Sequence, residues 1–171
     1  MSRTARHRLT GLVLAALIFG VDQWVKWLVT GPLGLDRDGE QIVLLPFFDL
    51  TRTSNYGVSL GMLTAQSDTT RWLLVAMTAA IALGVLVWLL REKVLGEILA
   101  LSLVLGGALG NIRDRVLHGH VIDYADLHFG DFRPFLIFNI ADAAITIGVL
   151  LILARSFLSR EKAQDTAPEQ S

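Results

Sequence analysis

The sequence predicts an all-α membrane protein, a four-transmembrane-helix bundle with a small extracytoplasmic β element. Hydrophobic residues make up 53% of the 171 residues and charged residues only 18%, which is more apolar than a typical soluble protein. The mean hydropathy is correspondingly high, at +0.52. Four stretches are also long enough to cross a bilayer core of about 30 Å. We therefore expect residues 1–160 to form a single polytopic membrane domain.

The predicted spans cover residues 9–28, 72–90, 96–112 and 136–154. The second span carries no charge and has Trp72 and Trp88 near its two ends, where a belt of interfacial aromatic residues is expected. Its uncharged length disfavours a soluble helical bundle, which is the alternative for this composition. The other three spans carry polar residues close to one end.

The first span resembles a cleaved signal peptide in one respect, because Arg3, Arg6 and Arg8 precede the apolar run. However, no small-residue cleavage site follows it, and Asp22 and Lys26 within it suit a retained helix. We therefore expect this span to remain in the protein.

Basic residues predict the orientation, since the cytoplasmic ends of spans are enriched in Lys and Arg. Four spans place both termini on one side, where the basic residues cluster at span ends: Arg3, Arg6, Arg8, Arg91, Lys93, Arg155, Arg160 and Lys162. Basic residues on the other side are scattered among acidic ones. The termini are thus predicted to be cytoplasmic. The polar segment 161–171 is predicted to be a disordered cytoplasmic tail.

The outer loop 31–71 is predicted to contain short strands. Its segment 41–63 mixes β-branched and aromatic residues with Pro46 and Gly57. A second outer segment, 121–134, has a Gly130-Asp131 turn signal between two arms that contain aromatic residues. Together these segments predict the extracytoplasmic β element.

Polar side chains collect at one depth of the predicted bundle. Asp22 and Asn111 lie at the outer ends of the first and third spans, and Asn139 and Asp142 lie in the first outer turns of the fourth. Asp123 lies in the loop before the fourth span. A charge at mid-membrane costs about 2.5–3.5 kcal/mol on insertion scales, so chains rarely keep one without a use or a partner. The sequence therefore predicts a site at the outer edge of the bilayer.

Helical spacing places these residues in pairs on single faces: Asp22 with Lys26, Asn111 with Arg115, and Asn139 with Asp142. An ion pair within the helix that reaches the interface explains Asp22 and Lys26 equally well. Asp142 has no basic neighbour one turn away, so its partner has to come from another element. Small residues four apart also predict close helix packing: Ser102, Gly106 and Gly110 in the third span, and Ala144 and Gly148 in the fourth.

Two carboxylates held together can perform acid and base chemistry on one water molecule. A shared site disfavours double ionisation, so the pair holds one proton near neutral pH. The ionised member takes a proton from the attacking water, and the protonated member polarises the carbonyl. Asp123 and Asp142 are the predicted pair, with Asp114 and Asp126 as spare candidates.

Other function classes fit the sequence less well. Lys+Arg 15 against Asp+Glu 16 gives a net charge of −1, which provides no basic surface for nucleic acid. The chain has Cys 0, which excludes a thiol nucleophile. Three histidines, His118, His120 and His128, lie in the outer loop, but no H-E-x-x-H motif indicates zinc. A serine hydrolase is disfavoured because no G-x-S-x-G motif is present.

A small transporter or channel subunit is the main alternative, because intramembrane polar residues can line a path. Such a path requires polar groups along the full depth of the bundle. Here the inner halves of the four spans lack ionisable residues except near their ends.

Several motifs taken together resemble the prolipoprotein signal peptidase family, also called lipoprotein signal peptidase or signal peptidase II. They occur in order through all four spans: Asp22-Gln23 with Lys26, Asn55-Tyr56-Gly57-Val58-Ser59, Gly110-Asn111 with Asp114-Arg115, Gly119, Val121 and Asp123, and Phe138-Asn139 with Ala141-Asp142. An isolated N-x-x-D-R would mean little, whereas the combination is specific.

The resemblance implies an aspartic endopeptidase of the bacterial inner membrane with its active site at the periplasmic face. It would remove signal peptides from lipid-modified prolipoproteins by cutting before the diacylglyceryl-modified cysteine. Matched by motif, Asp123 and Asp142 would be catalytic, and substrate binding or support would come from Asn55, Gly57, Asn111, Arg115, Asn139, Asp22 and Lys26. We expect membrane lipids as surroundings, no metal or other cofactor, no nucleic acid, and a monomer.

Overall fold

The computed structural model describes residues 1–57 and 68–165. The helices are α1 (Arg3–Thr30), α2 (Asp68–Arg91), α3 (Leu95–His118) and α4 (Ile140–Asp165), and the strands are β1 (Gln41–Leu45), β2 (Phe48–Asn55) and β3 (Val121–Leu127). Each of the four helices is long and apolar enough to cross a membrane. The predicted fold class is therefore confirmed.

The fourth span begins later than the predicted residue 136. Phe138 is extended, because its backbone N–H donates to the carbonyl oxygen of Ala125 in β3 and its own carbonyl oxygen accepts from Tyr124 and Ala125. This pairing with the strand keeps the chain from turning into a helix before Ile140.

Helix α4 continues to Asp165, into the segment predicted to be a disordered tail. Residues 161–165 include glutamate, lysine, alanine and glutamine, which are good helix formers. The remaining tail residues 166–171, and Val58 and Ser59 of the predicted motif, lie outside the described residues.

The three strands form an antiparallel sheet in the order β1-β2-β3. The β2–β3 register pairs Thr53 with Asp123 and Asn55 with Val121. Residues two apart in a strand share a face, so Asn55 and Asp123 are diagonal neighbours on one face of the sheet. The register therefore brings Asn55 within reach of the Asp123 carboxylate.

Helix α3 is the centre of the bundle and the most buried of the four helices. It approaches its neighbours through small residues, as the sequence spacing predicts. A Cβ atom added to Gly106 would lie 2.5 Å from the carbonyl oxygen of Ala15 in α1, and one added to Gly148 in α4 would lie 2.7 Å from that of Ala100 in α3. Backbone therefore packs directly against backbone at both helix pairs.

The change Gly106→Ala is expected to lower the stability of the protein by about 1–3 kcal/mol, because the new methyl group would overlap the backbone of α1. Thermal unfolding in detergent measures the effect. Gly84→Ala in α2 is the matched control, since a Cβ atom there meets nothing within 4 Å. Equal melting temperatures for the two variants would contradict the close α1–α3 contact.

Contacts at the end of the bundle away from the sheet place the chain's N-terminal region there. Arg8 donates from Nε to the carbonyl oxygen of Glu92 (3.0 Å) and from Nη2 to that of Arg91 (3.1 Å), at the short connection between α2 and α3. Arg155 of α4 pairs with Glu97 at the start of α3, with 2.7 Å between Nε and Oε1. The sheet and the segment before α4 lie at the opposite end.

Candidate active site

Asp123 lies on β3 and is 1% exposed. Each of its carboxylate oxygens accepts a hydrogen bond from an asparagine. Oδ1 accepts from Asn139 Nδ2 at 2.7 Å, and Oδ2 accepts from Asn55 Nδ2 at 2.9 Å. The carboxylate is thus fixed between β2 and the start of α4.

Asp142 lies in the first turn of α4 and is partly exposed. Its Oδ1 accepts from Asn111 Nδ2 at 2.7 Å, and its Oδ2 accepts from the backbone N–H of Asn139 at 3.2 Å. The partner that the sequence required from another element is therefore Asn111 of α3.

Asn139 connects the two carboxylates. Its Oδ1 accepts from the backbone N–H of Asp142 at 2.9 Å, while its own N–H donates to Asp142. This reciprocal arrangement is a capping box at the start of α4. The side-chain Nδ2 of the same residue donates to Asp123. One asparagine, 0% exposed, therefore holds both carboxylates, and the N-x-x-D spacing was the sequence signal for its capping role.

The surroundings of Asp123 favour its protonated form. Burial, followed by the nearby Asp142 carboxylate, raises the pKa of Asp123 to about 6. The hydrogen bonds from Asn55 and Asn139 act in the opposite direction. Near neutral pH this carboxyl group can therefore exchange a proton readily, as a general acid or base requires.

Arg115 of α3 is the basic group that interacts with both carboxylates. Its guanidinium interacts electrostatically with Asp142, Asp123 and Asp114. Its buried Nε has no hydrogen-bond partner among the described residues.

Gly57 follows β2 with φ +82, a conformation that side chains disfavour. Its N–H donates to Asn55 Oδ1 at 2.8 Å. A Cβ atom here would lie 2.9 Å from Leu74 Cδ1 and 3.4 Å from Arg115 Nη2. Glycine therefore allows the chain to pass close to Arg115 and also holds Asn55 in place.

Two grooves meet beside the carboxylates and share Phe135 and Leu136 in their walls. Asp123 lines the larger, of about 670 Å³, together with residues 53–57. Asp142 lines the smaller, of about 290 Å³, together with apolar residues of α4. An extended polypeptide that follows both grooves would cross the two carboxylates.

Lys26 is buried next to this site, with Nζ 2.9 Å from Asp22 Oδ2 and 2.7 Å from Asp114 Oδ2. It is 2% exposed, so the alternative of an ion pair that reaches the interface is wrong. Gln23 donates to Asp22 and to Asp114, each at 3.0 Å. The family motif includes this glutamine, but spacing along one helix does not show its contacts, because its partners lie on two helices.

The spare candidates are occupied elsewhere. Asp114 pairs with Lys26, as described. Asp126 pairs with Arg133 at 3.1 Å and accepts from Thr51 Oγ1 at 3.1 Å. Of the outer-loop histidines, His128 contacts Asp49 (2.8 Å between Nε2 and Oδ2) and His120 contacts Arg52 (3.1 Å between Nε2 and Nη2).

Comparisons with known proteins agree on one family. The model of the family described as "Signal peptidase (SPase) II" matches residues 14–158. A lipoprotein signal peptidase from Sphingopyxis alaskensis is 58% identical over 153 residues, which cover 90% of this chain and 88% of that protein. Another from Rhizorhabdus wittichii is 54% identical over 155 residues, covering 91% of this chain and 90% of that protein.

Two solved structures share the fold, and both are described as bacterial membrane enzymes determined by the in meso method. One, at 2.3 Å resolution, has a TM-score of 0.73 and 27% identity, covering 95% of this chain and 94% of its own. The other, at 1.9 Å resolution, has a TM-score of 0.74 and 31% identity, covering 85% of this chain and 91% of its own.

Proposed function

The chain belongs to the signal peptidase II family of membrane aspartic peptidases, which act on prolipoproteins, and from that membership we propose that Asp123 and Asp142 are its catalytic pair. The observation that carries this proposal is the convergence of both carboxylates on Asn139. The two grooves that meet beside them support it. The transporter or channel alternative is wrong, because the family is one of peptidases.

The proposed reaction is hydrolysis of a peptide bond by one activated water. Asp142 lies at the positive N-terminal end of α4, which favours negative charge, so it takes the proton of the attacking water. Asp123, with its raised pKa, holds the shared proton and polarises the scissile carbonyl. The proton that Asp142 took from the water then passes to the leaving amine as the C–N bond breaks, while Asp123 keeps its own proton.

The remaining site residues are assigned by their contacts. Asn55, Asn111 and Asn139 orient the two carboxylates. Arg115 interacts electrostatically with both carboxylates and favours their charged forms. Gly57 keeps the wall of the larger groove close to Arg115. Asp22 and Lys26 support the site from below.

We further propose cytoplasmic termini and an active site at the outer face of the bacterial inner membrane. The basic residues Arg8, Arg91, Lys93 and Arg155 lie at the end of the bundle opposite the sheet, and cytoplasmic ends of spans are rich in such residues. The carboxylates lie at the sheet end. A substrate would therefore meet the carboxylates at the level of the lipid headgroups.

The proposed substrate carries a diacylglyceryl group on the cysteine after the scissile bond. The apolar lining of the groove beside Asp142 suits an acyl-bearing residue. We further propose that the protein works as a monomer within membrane lipids.

The experiment that tests this function uses purified protein in detergent with a lipid-modified prolipoprotein. We expect mass spectrometry to detect a mature product that begins with the lipidated cysteine, and to find it only when the protein is present. The same precursor without the diacylglyceryl group is the control and should be cut poorly. An absent product, or cleavage at another bond, would contradict the proposal.

A further inference from the structure

A buried group of three charges joins α1 to α3 below the proposed catalytic pair. We call Asp22, Lys26 and Asp114 the ion triad. Their exposures are 0%, 2% and 1%. Lys26 Nζ contacts a carboxylate oxygen of each partner, at 2.9 Å for Asp22 and 2.7 Å for Asp114. A single carboxylate would have been enough to neutralise the lysine, so the second one calls for another explanation.

Each carboxylate of the ion triad also accepts a backbone N–H from an element of the active site. Asp22 Oδ1 accepts from Ala141 at 3.0 Å. Asp114 Oδ2 accepts from Ile122 at 3.3 Å. Ala141 directly precedes Asp142, and Ile122 directly precedes Asp123. The triad therefore holds the backbone one residue before each carboxylate of the proposed catalytic pair.

Further contacts fix the spacing between the two carboxylates of the ion triad. Gln23 Nε2 donates to Asp22 Oδ2 and to Asp114 Oδ1, each at 3.0 Å. Arg113 in turn donates to Gln23 Oε1. A Cβ atom on Gly110 would lie 2.5 Å from Asp22 Oδ2, so the absence of a side chain there lets Asp22 approach α3.

We propose that Asp114 is a positioning residue which, through Lys26 and Asp22, sets the placement of Asp123 relative to Asp142. This inference rests on the proposed function of those two carboxylates. Strand β3 and helix α4 carry one carboxylate each, and Asp114 and Asp22 anchor the backbone of one element each. Because Lys26 binds both anchors, moving one shifts the other. Misplacement of a reacting group by about 1 Å can lower a rate about 10²-fold.

The test compares Asp114→Ala with Asp114→Asn in the full-length protein, with a diacylglyceryl-modified prolipoprotein as substrate. Alanine removes the acceptor for Ile122 and Lys26, whereas asparagine keeps an oxygen that can accept from both. We expect Asp114→Ala to lower kcat by about 10²-fold with little change in KM. Asp114→Asn should restore most of that loss.

The pH dependence of kcat separates positioning from stability alone. The charged groups that act on the pair are Arg115 on α3, which interacts with both carboxylates, and Lys26 on α1, which interacts with Asp123. Asp22 and Asp114 are the partners of that lysine. A changed distance between the two carboxylates alters how they share a proton. We expect Asp114→Ala to displace the pH profile in the protein that remains folded.

Asp49→Ala and Asp49→Asn are the matched controls. Asp49 is 3% exposed in the same sheet, and it is bound by Gln41 and His128 rather than by the ion triad. Both controls should keep the wild-type pH profile. If Asp114→Ala does not fold, Asp114→Asn decides the question, because its neutral oxygen binds Lys26 more weakly and should still change the spacing of the two carboxylates enough to displace the profile.

The inference is overturned if folded Asp114→Ala, or Asp114→Asn in its place, shows the wild-type kcat and pH profile. It is also overturned if the loss of activity only matches the loss of folded protein, as in Asp49→Ala. Failure of the proposed function itself would give a different result. The wild-type protein would not cleave the substrate, or Asp123→Asn would remain active.

Discussion

Replacing either carboxylate of the proposed pair, by Asp123→Asn or Asp142→Asn, is expected to lower kcat for prolipoprotein cleavage by about 10³-fold or more. Asparagine cannot take a proton from water, and it cannot deliver one to the leaving amine. Because one carboxylate acts as base and the other as acid on the same water and carbonyl, loss of either should be nearly as severe as loss of both. Cleavage in detergent, followed over time by mass spectrometry, measures the change.

The Asp123→Asn variant also has a stability cost, because both oxygens of the wild-type carboxylate accept from asparagine donors. In the variant, one of these two oxygens is replaced by an amide N–H₂ group, which then faces the N–H₂ donor of Asn55 or Asn139. The oxygens of those two residues are already used, by Gly57 and Asp142. A buried donor left unpaired costs about 1–3 kcal/mol, so melting curves should accompany the activity assay.

Asp126→Asn is the control for this prediction. Asp126 lies on the same strand and is 2% exposed, but Arg133 and Thr51 are its partners. The variant should therefore fold less stably and still cleave. Wild-type activity in folded Asp123→Asn or Asp142→Asn would exclude the assigned pair, and loss of activity confined to Asp126→Asn would move the chemistry to the spare candidate.

The four spans, and the gathering of the polar residues at one end of the bundle, were predictable because both depend on the pattern along single helices. Long apolar runs define membrane helices whatever their neighbours do. The intramembrane positions of Asp22 and Asp142 were conspicuous for the same reason, since charge is rare there. The family motifs then identified the same residues independently.

Contacts between elements were harder to predict. Lys26 was expected to pair with Asp22 on its own helix, and that contact is present, but Asp114 of α3 lies closer. The extended conformation of Phe138 depends on pairing with β3, and its apolar side chain is equally compatible with a helix. Spacing along one element cannot show which side chains of another element will meet it.

Asn139 illustrates both situations, because its capping role follows from spacing and its contact with Asp123 follows from packing. Its Oδ1 caps α4 through the N–H of Asp142, and its Nδ2 donates to Asp123. These two functions use different atoms of one amide. Substitutions can therefore remove one function and keep the other.

We expect Asn139→Ser to lower kcat by about 10²-fold, because serine has no second donor in place of Nδ2 and Asp123 loses an orienting hydrogen bond. Serine is nevertheless a good N-cap, so the start of α4 should be retained. Asn139→Ala removes both functions and should be less stable than Asn139→Ser by about 1 kcal/mol, the usual value of an N-cap. The two variants should thus share the catalytic defect and differ in melting temperature.

Steady-state cleavage rates and thermal unfolding of the two variants provide the comparison, with Thr10→Ala as a control in α1. Thr10 donates to the carbonyl oxygen of Arg6 one turn earlier, far from the sheet end, so its loss should leave kcat unchanged. Full activity in Asn139→Ser would show that Asp123 is held well enough by Asn55 alone. In that case, the link between the two carboxylates through Asn139 would stabilise α4 without serving catalysis.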